Sequence, residues 1–224
     1  MLRIIAATRL DRLSFERHAL LGRSLRRLAP RGEAHADIAY ANARGLPEVF
    51  NAALACAADD DLVVFTHDDV RLNDWFLSER VRDALAEFSV VGVAGNRRRV
   101  ARQMSWHSID GRSYDEREHL SGAVAHLRDG LHEELRVYGP VPAPVRLLDG
   151  VFLASRASTL RNAGVAFDPQ FPREFYDLDF CRTCEQAGLS LGTWPIAITH
   201  ASPGKFGSRE WQQAYARYLA KWTE

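Results

Sequence analysis

Short runs of apolar and β-branched residues, LRIIAA at 2–7, LVVFT at 62–66 and VVGVAG at 90–95, recur between longer stretches whose apolar residues fall at helical spacing. A strand that is apolar on both faces has to be covered on both faces, which a layer of helices on either side achieves. The pattern predicts an α/β chain with a doubly wound, mostly parallel sheet in one domain spanning 1–224.

The first half reads as β then α, β, α, β. FERHALLGRSLRRL (15–28) carries arginines opposite its apolar face, AHADIAYA (34–41) is a second strand, and LPEVFNAALACAA (46–58) is a helix with Pro47 in its first turn. NDWFLSERVRDALAEF (73–88) follows as a helix with Asn73 as N-cap. From 97 to 146 the periodicity fades into charge, Gly and Pro, which marks a long functional or mobile excursion. Order resumes with a strand and helix over 145–164, a helix over 173–188 closed by Gly188, a strand over 193–200 and a C-terminal amphipathic helix over 208–222.

Lys plus Arg (29) balance Asp plus Glu (29), so bulk charge does not point to nucleic acid or an anionic membrane as partner. The opening MLRIIAATRLDR is too brief an apolar run for a signal or transmembrane segment, which makes a cytoplasmic protein the expectation. Three cysteines give no disulfide framework, and CRTC (181–184) reads as two cysteines on a helix face.

Ligands of open parallel sheets bind where strands end and loops diverge. Three polar features fall at such ends: His67-Asp68-Asp69 after LVVFT, Asp149 beside Gly150, and His200. Paired acids at a strand end also serve as turn residues or helix caps. Together, however, an aspartate and a distant histidine can complete a site for Mn²⁺ or Mg²⁺ with phosphate oxygens and water. Asp177 and Asp179, in EFYDLDF, sit at a helix start where the macrodipole favours carboxylates. One of them could reach the site and act as general base toward a hydroxyl, taking the proton late because an ordinary aspartate is a weak base.

VVFTHDDV, GVAG, a Trp in the middle region, LLDGVFLASR, FDPQF, FYDLDFCRTCEQAGL, ITHAS and a C-terminal W…Y…KW, in this order, resemble the A-type glycosyltransferase fold. More narrowly they resemble family 2 glycosyltransferases and the subgroup named for a streptomycin-biosynthesis protein. The resemblance covers most of residues 2–222. It implies a metal-dependent enzyme that moves a sugar, with inversion, from a nucleotide diphosphate donor to a hydroxyl acceptor. Residues 1–96 would form the nucleotide-binding half and 97–224 the acceptor side with a C-terminal lid.

The resemblance also distributes roles. Asp69 matches the metal position of the Asp-x-Asp motif and His200 a late metal ligand; Asp68 and His67 fall in the ribose or metal shell, with His67 replacing the motif's first acid. Asp177 matches the catalytic base, with Tyr176 where an acid usually precedes it, and Asp149 the acceptor-facing aspartate. Asn51 matches a residue near the nucleotide, and Thr8 and Arg9 would lie beside it or serve as a helix cap or surface residues. Read from the residues themselves, Lys205 and Arg209 fall in a segment that could close as a lid over the diphosphate, Arg97, Arg98 and Arg99 could meet an anion or form a solvated loop, and Trp106 could stack on a sugar. Two alternatives stand beside this reading: a non-catalytic binding or scaffold protein of the same fold, and a sugar-phosphate nucleotidyltransferase. Against the latter, AATRLDRLSF lacks the glycines of a triphosphate-binding loop.

Overall fold

The computed structural model describes residues 1–28, 32, 34–128, 132–201 and 206–223. In chain order the elements are β1 (Leu2–Ala7), α1 (Arg12–His18), α2 (Leu20–Leu28), β2 (Ala34–Ala39), α3 (Leu46–Cys56), β3 (Leu62–Thr66), β4 (Val70–Leu72) and α4 (Leu77–Glu87). They continue as β5 (Val90–Gly92), β6 (Ala94–Asn96), β7 (Leu120–Arg128), β8 (His132–Gly139), β9 (Ala143–Val145), β10 (Leu147–Leu148) and β11 (Phe152–Arg156). The chain closes with α5 (Ala157–Asn162), α6 (Tyr176–Gln186), β12 (Leu191–Thr193), β13 (Ile198–His200) and α7 (Arg209–Lys221).

The main sheet has strand order β2-β1-β3-β11-β5-β12-β9. The α/β class matches the expectation, but the sheet is mixed. β1–β2, β1–β3 and β5–β12 pair parallel, whereas β3–β11, β5–β11 and β9–β12 pair antiparallel. β11, from the second half of the chain, thus lies between β3 and β5 from the first. A second sheet, β10-β6-β7-β13-β4 with β8 on β7, stands at the carboxyl end of β3.

The chain passes between the two sheets at short breaks of one to three residues. β3 gives way to β4 through His67-Asp68-Asp69, β5 to β6 at Val93, and β10 to β11 through Asp149-Gly150-Val151. A strand cannot carry its ladder across such a corner, so these residues have backbone and side chains free for other bonds. The apolar strands between the corners are fully buried: Val63, Val64, Phe65, Val90, Val91, Phe152 and Leu153 are each 0–1% exposed. Phe50, Phe65, Phe167 and Phe180 form a ring cluster under the junction, with Phe167 stacked on Phe180 at 4.2 Å between centroids.

Several elements differ from the expectation for physical reasons. The single helix expected over 15–28 is two helices: Ala19 turns to extended backbone (ψ 140°) between them, and Gly22 lets the second pack on the Phe15 carbonyl so closely that a Cβ there would lie 2.2 Å from the oxygen. Asn73 is not an N-cap; its amide bonds Thr199 Oγ1 at 2.8 Å, tying β4 to β13, and the helix begins at Leu77. The aperiodic 97–146 region contains the β7–β8 hairpin. Its strands are rich in Gly, Ser, Ala and Glu, and β8 leaves Leu135 and Val137 exposed, so the period-2 signal is weak. Cys181 and Cys184 are buried thiols on α6, as read. Among the described residues no helix is long and apolar enough to cross a membrane.

Candidate metal and transfer site

The corners converge on one cavity of about 570 Å³. His67, Asp149, Gly150, Tyr176, Asp177 and His200 line it together with Trp106, His107, Tyr114 and Tyr138 from the 97–146 region.

His67, Asp69 and His200 form the first cluster, their potential ligand atoms all within 4.8 Å of one another. β13 pairs antiparallel to β4 with His200 opposite Val70, and the Ala201 amide donates to the Asp69 carbonyl at 3.1 Å, which brings the late histidine to the motif loop. His200 Nε2 lies 3.4 Å and His67 Nδ1 4.0 Å from Asp69 Oδ1. That oxygen is shut off from solvent and, at these distances, accepts no well-directed hydrogen bond among the described residues. A buried carboxylate oxygen without a directed donor, facing two imidazoles, is a donor set that fits a divalent transition-series cation better than a wholly oxygen-seeking one. Burial pulls the His67 pKa down to about 4, which keeps its ring neutral. Burial also opposes charge on His200, but the Asp69 and Asp149 carboxylates outweigh it and the net shift is upward.

Asp177 and Asp149 form the second cluster. Asp177, in the first turn of α6, accepts from the Gly150 amide at 3.1 Å through Oδ2 and from the Leu178 amide at 2.9 Å through Oδ1. Burial, then the nearby Asp149 charge, raises its pKa to about 7, far from the weak base expected of an ordinary aspartate. Asp149 is also raised, chiefly by burial, while the Val151 amide and the Trp106 side chain hydrogen-bond its carboxylate. Two features hold Asp177 in place. Phe175, just before α6, has φ 65°, a left-handed conformation uncommon for a bulky residue, locked by rings of Trp211, Tyr215 and Tyr218. At Gly150 a Cβ would meet Tyr176 Oη at 2.3 Å and Asp177 Cβ at 2.9 Å, so only glycine permits the approach.

The other expected residues divide. Asp68 sits at the same corner, its backbone carbonyl accepting from Leu21 at the start of α2, its carboxyl raised by burial against a hydrogen bond from Thr8. Thr8 is buried and therefore reaches the site through Asp68, whereas Arg9 is exposed beside it. Asn51 is not drawn in: its amide donates to Phe167 O at 2.7 Å and accepts from Phe167 N at 2.9 Å, bracing α3 against the FDPQF turn. Arg98 and Arg99 are likewise taken up in ion pairs with Asp115 and Glu185. Asp179 is fully buried and pairs with Lys221 at 2.7 Å and the Trp222 indole at 3.0 Å, so the second acid of the DLD pair anchors α7. Lys205 lies outside the described residues.

Sequence reasoning passed over Tyr176, His107, Tyr138, Arg173 and Trp211 as cavity residues. The aromatic ones carry a weak signal because aromatics usually mark core, His107 and Tyr138 lie in the region without readable periodicity, and Arg173 is a lone arginine in a loop.

No protein-family model matches the chain, and no curated protein matches it in sequence. Solved structures do match its shape. A mannosyltransferase from Pyrobaculum calidifontis in complex with GDP-Man and Mn²⁺ superposes with a TM-score of 0.51 at 16% identity over 99% of this chain and 64% of that one. GalNAc-T7 with UDP, GalNAc and Mn²⁺ superposes with a TM-score of 0.53 at 11% identity over 98% of this chain. The chain spans just under two thirds of the first of these structures and about half of the second, 47%. The protein therefore has the A-type glycosyltransferase fold, the nucleotide-diphospho-sugar transferase architecture.

Proposed function

We propose that the protein is a metal-dependent, inverting glycosyltransferase of the family 2 type, moving a sugar from a nucleotide diphosphate to a hydroxyl acceptor. The observation that carries this reading is the meeting, across one cavity on this fold, of the His67-Asp69-His200 cluster with a carboxylate whose pKa is raised to about 7. Two structures of the same fold hold a nucleotide or nucleotide sugar together with Mn²⁺, which supports the choice of donor and cation.

His67, Asp69 and His200 would hold the cation, Mn²⁺ in preference to Mg²⁺ because two of the three donors are imidazoles. Bound there, a divalent ion supplies charge that stabilises the departing diphosphate. Asp177 accepts the proton of the acceptor hydroxyl as its oxygen bonds to the anomeric carbon. The bond from that carbon to the donor phosphate breaks on the opposite face, and the nucleoside diphosphate leaves with the electron pair. A base with a pKa near 7 is half ionised at neutral pH and basic enough to contribute roughly 10²- to 10⁴-fold. Asp149 orients the hydroxyl from the other side of Gly150, and Trp106, edge-on to Tyr138 at 4.9 Å, walls the acceptor side. The cavity walls limit hydrolysis of the donor by water.

The test is an incubation with a panel of UDP- and GDP-sugars, Mn²⁺ and mixed hydroxyl acceptors, following nucleoside diphosphate release. The wild-type protein should release it from at least one donor and Asp177→Asn should not, while still binding that donor. Donor binding with no release under any acceptor mixture would favour a binding protein of the same fold.

A further inference from the structure

Two positions depart from the resemblance at motif residues, His67 in place of an acid and Tyr176 in place of another, and they touch: His67 Nε2 lies 2.7 Å from Tyr176 Oη. The phenol has one proton, and Tyr176 Oη donates it to the Gly150 carbonyl at 2.8 Å. In the contact with His67 the phenol oxygen must therefore accept, and His67 Nε2 must carry the ring proton. The other ring nitrogen, Nδ1, is then a bare lone pair, and it is the one facing Asp69 Oδ1. A metal-binding imidazole has to be neutral, with its second nitrogen's hydrogen bond selecting the tautomer.

We propose that Tyr176 is a positioning residue that fixes His67 in the Nε2–H tautomer and so makes Nδ1 a third ligand of the cation held by Asp69 and His200. This rests on the metal reading above, but the tautomer itself does not. The Gly150 carbonyl is set by the same corner whose amide holds Asp177, so one glycine links the ligand histidine to the candidate base. Tyr176 is 3% exposed and packed edge-on against Phe50 at 6.0 Å, which leaves its hydroxyl little freedom to turn elsewhere.

The experiment is a long-range ¹H–¹⁵N spectrum of the histidines in metal-free protein at neutral pH, with His67 assigned by its loss in His67→Gln, followed by Mn²⁺ titration of wild type and Tyr176→Phe. The wild-type spectrum should show His67 protonated at Nε2, and Tyr176→Phe should mix the tautomers and weaken Mn²⁺ binding by roughly 10- to 100-fold. An Nδ1–H tautomer in the wild type, or Mn²⁺ affinity unchanged in a folded Tyr176→Phe, would overturn the proposal. The wild-type spectrum needs no variant to fold. Absence of Mn²⁺ binding to wild type alongside an Nε2–H His67 would instead defeat the metal reading, and with it the ligand role, while leaving the tautomer assigned.

Discussion

The Gly150 amide donates to Asp177 Oδ2 at 3.1 Å, so the candidate base is held by the chain corner that also carries Asp149. Gly150→Ala would drive a methyl group into Tyr176 and Asp177. A shift of about 1 Å at such a position costs on the order of 10²-fold in turnover. The expected outcome is a folded protein with a near-normal KM for donor and a kcat lowered to that degree, read by nucleoside diphosphate release.

The pH profile follows from the same carboxylate. With its pKa raised to about 7, Asp177 is an available base only above that value, so log kcat/KM should climb with unit slope below pH 7 and level above it. The sign reverses for stability. A raised folded pKa means the neutral acid is tolerated and the ionised form is penalised between the unfolded value of about 3.9 and about 7. Asp177→Asn should therefore lose activity and gain thermal stability relative to wild type as pH rises through that window.

Acid stability should depend on Asp115. Burial alone would raise its pKa, but Arg98, Asn96 and the Glu116 amide hold it down at about 2. Its folded value is depressed, so its contribution is present above the unfolded value of about 3.9 and lost as pH falls toward 2. At about 1.4 kcal/mol per pKa unit the contribution is roughly 2 to 3 kcal/mol. Asp115→Asn should lower the unfolding free energy by about that amount at pH 7 and by little near pH 2, as urea titrations would measure.

Lys221→Met keeps the side-chain stem but leaves the fully buried Asp179 carboxylate with the Trp222 indole as its one side-chain partner among the described residues. Removing one partner of a buried pair typically costs about 3 kcal/mol or more. The loss should appear as a lowered Tm with α7 exchanging amide hydrogens faster, since Lys221 ties that helix to Asp179 on α6 and to Asp168 in the loop before it.

The parts of this molecule that could be read from the sequence are those with a strong one-dimensional signal. LVVFT is apolar on both faces and is a core strand, with the polar residues at its end falling at a corner between sheets; VVGVAG is equally buried but breaks at Val93 into β5 and β6 of different sheets, which its uniform apolar run does not mark. His200 could be joined to Asp69 by its place at a strand end and by the resemblance, but by no local signal, because the β4–β13 pairing spans over a hundred residues. The raised pKa of Asp177 was invisible, since it comes from burial and from Asp149, neither of which is local in sequence. Asn51 shows a related limit of local sequence: an asparagine on a helix face carries no mark that its amide bonds, as here, the Phe167 backbone.

Cation-dependent donor binding is tested most directly by calorimetric titration of UDP and GDP into wild type and Asp69→Ala, each with Mn²⁺ and with EDTA. Wild type should bind at least one of them with Mn²⁺, and either the chelator or the substitution should weaken that binding by roughly 100-fold or more. Equal affinity in both proteins, unaffected by EDTA, would contradict a metal site at His67, Asp69 and His200.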